Sequence, residues 1–200
     1  MRLVVGITGA TGAALGIRLL QALTELKVET HLVLSDWARA TIQIETTYRV
    51  DEVRALASHV HGARDLAAAI SSGSFPTDGM TVCPCSMKTI SAIRTGYSDN
   101  LITRAADVTL KERRKLVLVP REAPLSAIHL ENMLALARTG AVVLPPTVAY
   151  YAHPSSVDQV TDHIVGRVLD QFGIEHSLCQ RWTGGGRQAE PQREANEETP

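Results

Sequence analysis

Short apolar runs recurring between helical stretches constrain this chain more than any other feature. They are Leu3–Thr8 (LVVGIT), Glu29–Leu34 (ETHLVL), Met80–Cys83 (MTVC), Leu116–Val119 (LVLV) and Ala141–Leu144 (AVVL). Runs of this length, rich in Val, Leu and Ile and without strict polar alternation, suit strands buried on both faces of a parallel sheet. Between them, apolar residues fall on a helical period: Leu15, Leu19 and Leu23, then Val157, Val160, Ile164 and Val168, and a further helix carries apolar Ile128, Leu130, Met133, Leu134 and Leu136. Strands alternating with helices demand right-handed crossovers and a sheet covered on both sides. The predicted fold is therefore α/β, a three-layer Rossmann-like or flavodoxin-like sandwich with a mainly parallel sheet. Such sheets bind ligands outside the carboxyl ends of their strands, so the residues that follow each run are the candidates for function.

Composition narrows the function classes. A chain of 200 residues with 44% hydrophobic content suits one compact domain, predicted over residues 1–182. From Thr183 onward the sequence holds no Val, Ile, Leu or aromatic residue and is predicted to be a disordered tail over 183–200. A formal charge of −1 leaves no global basic field for nucleic acid, so any anion site must be local. Cys83, Cys85 and Cys179 are odd in number and lack a disulfide framework's spacing. Cys83-Pro84-Cys85 offers neither a full zinc ligand set nor a C-x-x-C redox pair, and both thiols read as small buried hydrophobes. A reducing cytoplasm is the predicted location, with no export signal and no membrane span, since no apolar stretch approaches ~20 residues.

The strand ends carry the chemistry. Gly9-Ala10-Thr11-Gly12-Ala13 turns the first strand into a helix and can aim backbone N–H groups at an anion, although G-x-x-G is neither a dinucleotide fingerprint nor a P-loop. Ser35 sits where a helix cap belongs, and Glu45 lies near the end of the helix it opens. Asp51 to Ile70 reads as a helix and a connector, in which His59 and His61 are lone surface residues without metal-ligand partners. Ser71–Pro76 is a loop. Ser86 and Thr89 supply hydroxyls at another strand-to-helix turn. Arg104, Lys111, Arg121, Glu122 and Glu131 surround the LVLV run, Ser126 caps the next helix, and Tyr150 and Tyr151 follow the last strand.

Together, GATGA, CPCSMKT, RAADVTLKERRKLVLVPREAPLSAIHLENML, GAVVLPP and the tyrosine pair closely resemble the UbiX-type flavin prenyltransferases, formerly called aromatic acid decarboxylase subunits, over roughly residues 2–182. The resemblance implies a metal-independent transfer of a dimethylallyl group from dimethylallyl monophosphate to reduced FMN, giving prenylated FMN for a partner UbiD-type decarboxylase. It implies FMN contacts at Gly9, Ala10, Thr11, Ser35, Ser86, Met87, Lys88, Thr89 and Arg121. Prenyl-phosphate contacts fall on Lys111, Tyr151 and Arg167, with Arg104 in the same phosphate environment. Glu122 matches the family's acid/base residue and Glu45 a second active-site carboxylate. A homododecamer is implied, with sites between subunits. Thr11 replaces a Ser common in the family and keeps the hydroxyl, while Asp36 and Trp37 stand at variable positions. An FMN-dependent cysteine decarboxylase would need another segment in place of LKERR and PREAP. A noncatalytic FMN-binding subunit would have no use for Lys111, Glu122, Tyr151 and Arg167 together.

Overall fold

The computed structural model describes residues 1–182 and Gly184, so the predicted tail lies outside the described residues apart from that glycine. Six strands, β1 (Arg2–Ile7), β2 (Glu29–Leu34), β3 (His59–His61), β4 (Gly79–Cys85), β5 (Lys115–Pro120) and β6 (Val142–Val143), form one sheet in the order β3-β2-β1-β4-β5-β6. All its pairings are parallel. This is the Rossmann strand order, which reverses direction between β1 and β4. The helices are α1 (Ala13–Glu25), α2 (Asp36–Glu45), α3 (Val50–Ala55), α4 (Met87–Thr95), α5 (Leu101–Lys111), α6 (Ala127–Arg138) and α7 (Val157–Gln171).

The period-two geometry of a strand sends neighbouring side chains to opposite faces, and the core divides accordingly. Leu3, Val5 and Ile7 of β1 pack with Leu19, Leu20 and Leu23 of α1 and with Val165 and Leu169 of α7. Val4 of the same strand joins Met80, Val82 and the inner faces of α4 and α5. Cys83 and Cys85 are fully buried, one in each cluster, and burial pushes the Cys83 thiol up to about 12. Neither is a reactive thiolate at neutral pH.

Polar residues set the helix starts. Ser35, Ser86, Asn100, Ser126 and Ser156 each accept a hydrogen bond from the backbone N–H three residues on. Such caps contribute about 1 kcal/mol each and fix where the chain turns from strand edge into helix. His129 Nδ1 accepts the Ser126 backbone N–H and completes that cap.

One expectation is corrected. The connector after α3 contains β3, whose His59 and His61 pair in register with His31 and Val33, so they are not lone, although His59 is exposed as expected. The strand is too short and too polar to show as an apolar run. In α6 only Leu136 is buried, leaving Ile128, Leu130 and Leu134 more than half exposed.

Candidate functional site

The strand order opens a crevice where β1 and β4 part, and one threonine ties its two walls. Thr8 donates its hydroxyl to the Pro84 carbonyl at 2.8 Å and accepts the Ser86 N–H at 2.8 Å. Above this tie lies a cavity of about 750 Å³, in the size range of a small-molecule or cofactor site. Gly9, Ser35, Ser86, Lys88 and Thr89, all expected as flavin contacts, line it. Met87 turns its side chain toward the core, which leaves its backbone at the start of α4 as its contribution. The far wall includes Arg64 and Tyr97, which the sequence reading did not single out. Arg64 pairs with Asp36 at 3.2 Å across the rim. Its place depends on β3, so nothing local in the sequence marked it.

Gly9 is required for close approach. A Cβ there would fall well inside contact with Trp37 Cβ and within 3.2 Å of the Trp37 carbonyl carbon. Trp37 thus covers the turn directly while the residue as a whole stays 74% exposed. Gly12 serves another purpose, entering α1 in the left-handed region at φ 103°.

A second polar cluster borders this turn. Glu45, the last residue of α2, reaches the amino end of α1, where it accepts the Thr11 hydroxyl, the Gly12 N–H at 2.8 Å and the Ala13 N–H at 2.9 Å. Burial works to raise its pKa, but these three donors, with the Arg121 charge behind them, hold the carboxyl below its usual range. Glu45 is therefore a carboxylate at neutral pH. Arg121 follows β5, where its backbone N–H donates to the Cys85 carbonyl at 3.2 Å. Its side-chain Nε is buried and has no hydrogen-bond partner among the described residues. A buried guanidinium N–H left open near the Glu45 cluster is a donor that suits an acceptor supplied by a ligand.

The remaining predicted residues do not join this cluster within one chain. Tyr151 and Arg167 share a cavity of about 690 Å³ beside β6. There Tyr151 meets His163 and Trp182 edge-on at 5.9 and 5.5 Å, and Arg167 pairs with Asp170 at 2.7 Å. Arg104 donates to the Ser71 carbonyl at 3.1 Å and to Asp107 at 2.8 Å on the outer side of α5. Lys111 closes α5 and pairs with Glu112. Because α5 runs antiparallel to β5, this places Lys111 at the amino edge of the sheet. Glu122 follows β5 at the opposite edge, exposed, and among the described residues accepts only the Ala123 N–H, at 3.1 Å. Charges adjacent in sequence are thus delivered to opposite ends of the molecule.

Comparison with known proteins agrees with this architecture. The Flavoprotein family model matches residues 1–169. A probable UbiX-like flavin prenyltransferase of Escherichia coli O157:H7 is 63% identical over 185 residues, covering 92% of this chain and 94% of that protein. The crystal structure of a dodecameric FMN-dependent UbiX-like decarboxylase from the same organism superposes with a TM-score of 0.91 at 63% identity, covering 92% of this chain and 100% of the other. AnUbiX (PadA1), solved in complex with FMN and dimethylallyl pyrophosphate, gives a TM-score of 0.90 at 57% identity, covering 92% and 97%.

Proposed function

The chain belongs to the UbiX-like flavin prenyltransferases, and from that premise we propose how its residues divide the transfer of a dimethylallyl group from dimethylallyl monophosphate to FMN. It is a flavoprotein enzyme with FMN as the flavin, and we read residues 1–182 as its one domain. The observation that carries the flavin end is the open, buried Arg121 Nε, whose charge acts on the Glu45 carboxylate that binds the Thr11–Gly12 turn. Reduced FMN, when bound, supplies the nucleophilic ring that receives the prenyl group.

The chain's own residues hold and shield that ring. Gly9, Ala10, Thr11 and Ser35 form one wall, and the Ser86 and Thr89 hydroxyls with the backbone of Met87 and Lys88 form the other. Glu45 stays ionised and orients the Thr11 hydroxyl and the Gly12 and Ala13 amides. At the prenyl end, Arg167 and Tyr151 bind the phosphate from one direction, and Arg104 and Lys111 complete the cationic shell. Charge developing on the leaving phosphate is stabilised by cations held in place before the bond breaks. Glu122 acts as the acid/base residue, delivering a proton to the departing phosphate oxygen.

These groups lie in separate patches of one chain, which supports a site completed between copies. The uncovered apolar face of α6 supports such an assembly, and we assign a homododecamer on the pattern of the related dodecamer. The product passes to a UbiD-type decarboxylase, and the enzyme works in the cytoplasm. Among the described residues no helix is long and apolar enough to cross a membrane.

The deciding experiment is anaerobic incubation of the protein with reduced FMN and dimethylallyl monophosphate, followed by mass spectrometry of the extracted flavin. A gain of one C5H8 unit supports the transfer. Unmodified FMN recovered from protein that binds it, with dimethylallyl pyrophosphate also inert, would instead identify a flavin carrier.

A further inference from the structure

At the other edge of the sheet, away from the crevice, three histidines and a glutamate converge. Glu29 opens β2, His31 follows two residues later on the same face, and β3 lays His59 directly beside His31. His31 Nε2 is 3.2 Å from Glu29 Oε1, and His59 Nε2 is 3.4 Å from the same oxygen. Nitrogen and oxygen ligands on a tetrahedral ion with ~2.05 Å bonds sit roughly 3.3 Å apart, so two edges of such a polyhedron already stand at coordination spacing. All three ligand atoms lie within 4.8 Å of one another.

We propose that Glu29, His31 and His59 form a structural site for a divalent cation of the zinc class, tying the edge strand β3 to β2. The site has an outer shell of its own. His31 Nδ1 lies 2.9 Å from His61 Nε2, so a metal on His31 Nε2 leaves Nδ1–H free to donate to His61, the arrangement that fixes tautomer and ring direction in metal-bound histidines. His31 is nearly buried, whereas the His59 side chain is 53% exposed and has room to turn its lone pair onto the ion.

Arg2 Nε donates to the same oxygen, Glu29 Oε1, at 2.8 Å, and is also anchored by the Pro76 carbonyl at 3.0 Å and by the Phe75 ring at 4.6 Å. Metal binding therefore requires the carboxylate to present one oxygen to the ion and the other to the guanidinium, a rotation of the Glu29 side chain that leaves Arg2 held by its other contacts. Three protein ligands leave a fourth position for water, and the mixed imidazole and carboxylate set favours zinc, nickel or copper over magnesium or calcium.

The test uses the intact oligomer without an affinity tag, stripped with chelator and then titrated with Zn²⁺ and with Co²⁺ as a spectroscopic probe. We expect uptake of one ion per chain, the intense visible absorption of four-coordinate Co²⁺, and a rise in Tm on Zn²⁺ addition. His59→Ala, at an exposed edge position, and Glu29→Gln should each weaken uptake at least tenfold while FMN binding stays at the wild-type level. Failure of the wild type to take up a cation overturns the site, as does uptake that neither substitution changes, since that would place the ion elsewhere, for instance at Asp170, His176 and Cys179.

Discussion

Replacing Gly9 with alanine tests whether the flavin-side wall depends on close approach of the chain to itself. The backbone at Gly9 is not in the left-handed region, so the substitution carries no φ penalty and its whole effect is steric. The new methyl would overlap Trp37 Cβ and sit 3.2 and 3.3 Å from the Trp37 carbonyl carbon and Cα. Carbon atoms at rest prefer about 3.5–4.0 Å, so the start of α2 must move away by on the order of an ångström. Overpacking of this kind costs about 1–3 kcal/mol, which for a domain of this size lowers Tm by roughly 2–12 °C. A displacement of that size in a positioning element can also cost ~100-fold in rate. The assay is FMN titration by fluorescence quenching together with thermal unfolding, for Gly9→Ala, Trp37→Gly and the double variant. We expect at least tenfold weaker FMN binding in Gly9→Ala, partly restored when Trp37→Gly removes the opposing Cβ. Wild-type affinity and Tm in Gly9→Ala would refute the reasoning, and so would a double variant no better than the sum of the two single effects.

Further predictions rest on the charged groups. Glu45→Gln keeps one oxygen for the Gly12 and Ala13 N–H groups and turns its amide NH2 to the Thr11 hydroxyl, but removes the charge that strengthens these bonds, so we expect a loss of about 1–3 kcal/mol in chemical denaturation; an unchanged midpoint would remove Glu45 from the turn. Because the folded pKa of Glu45 is depressed, its contribution is full above its ordinary value of 4.5 and is lost as pH falls through the folded value. Glu29, held at about 2 chiefly by the Arg2 hydrogen bond, loses its contribution over the same acid range. Wild-type stability should therefore fall below pH 4.5, and less steeply in Glu45→Gln. If sites are assembled between subunits, Lys111→Ala and Glu122→Gln should each be nearly inactive alone yet recover part of the activity when co-expressed in mixed oligomers; no recovery would place both groups in one chain's site.

Much of the architecture was legible because burial leaves a one-dimensional trace. A strand covered on both faces has to be apolar along its length, and the runs around Val5, Leu32, Val82 and Leu118 carry that trace whatever the final topology. Two of the caps were legible too, since Ser35 and Ser126 act on groups three residues away. Strand β3 was not, because its three residues are held by pairing with β2 rather than by their own apolarity, and His59 and His61 looked solitary until that pairing set them beside His31.

The same division runs through the site. The sequence by itself determined the element order, the positions of the turns, and the chemistry each strand end offers, because these depend on local propensity and on whether a segment is buried. Only the tertiary structure decided which of those ends meet. It joined Thr8 to Pro84 and Ser86 at the reversal of strand order and brought Glu45 across 32 residues to the start of α1. It also separated Lys111 from Glu122, since a helix returning antiparallel to its strand carries its last residue to the opposite edge of the sheet. Local sequence records what a residue can do, whereas long-range packing sets which residues it does it with.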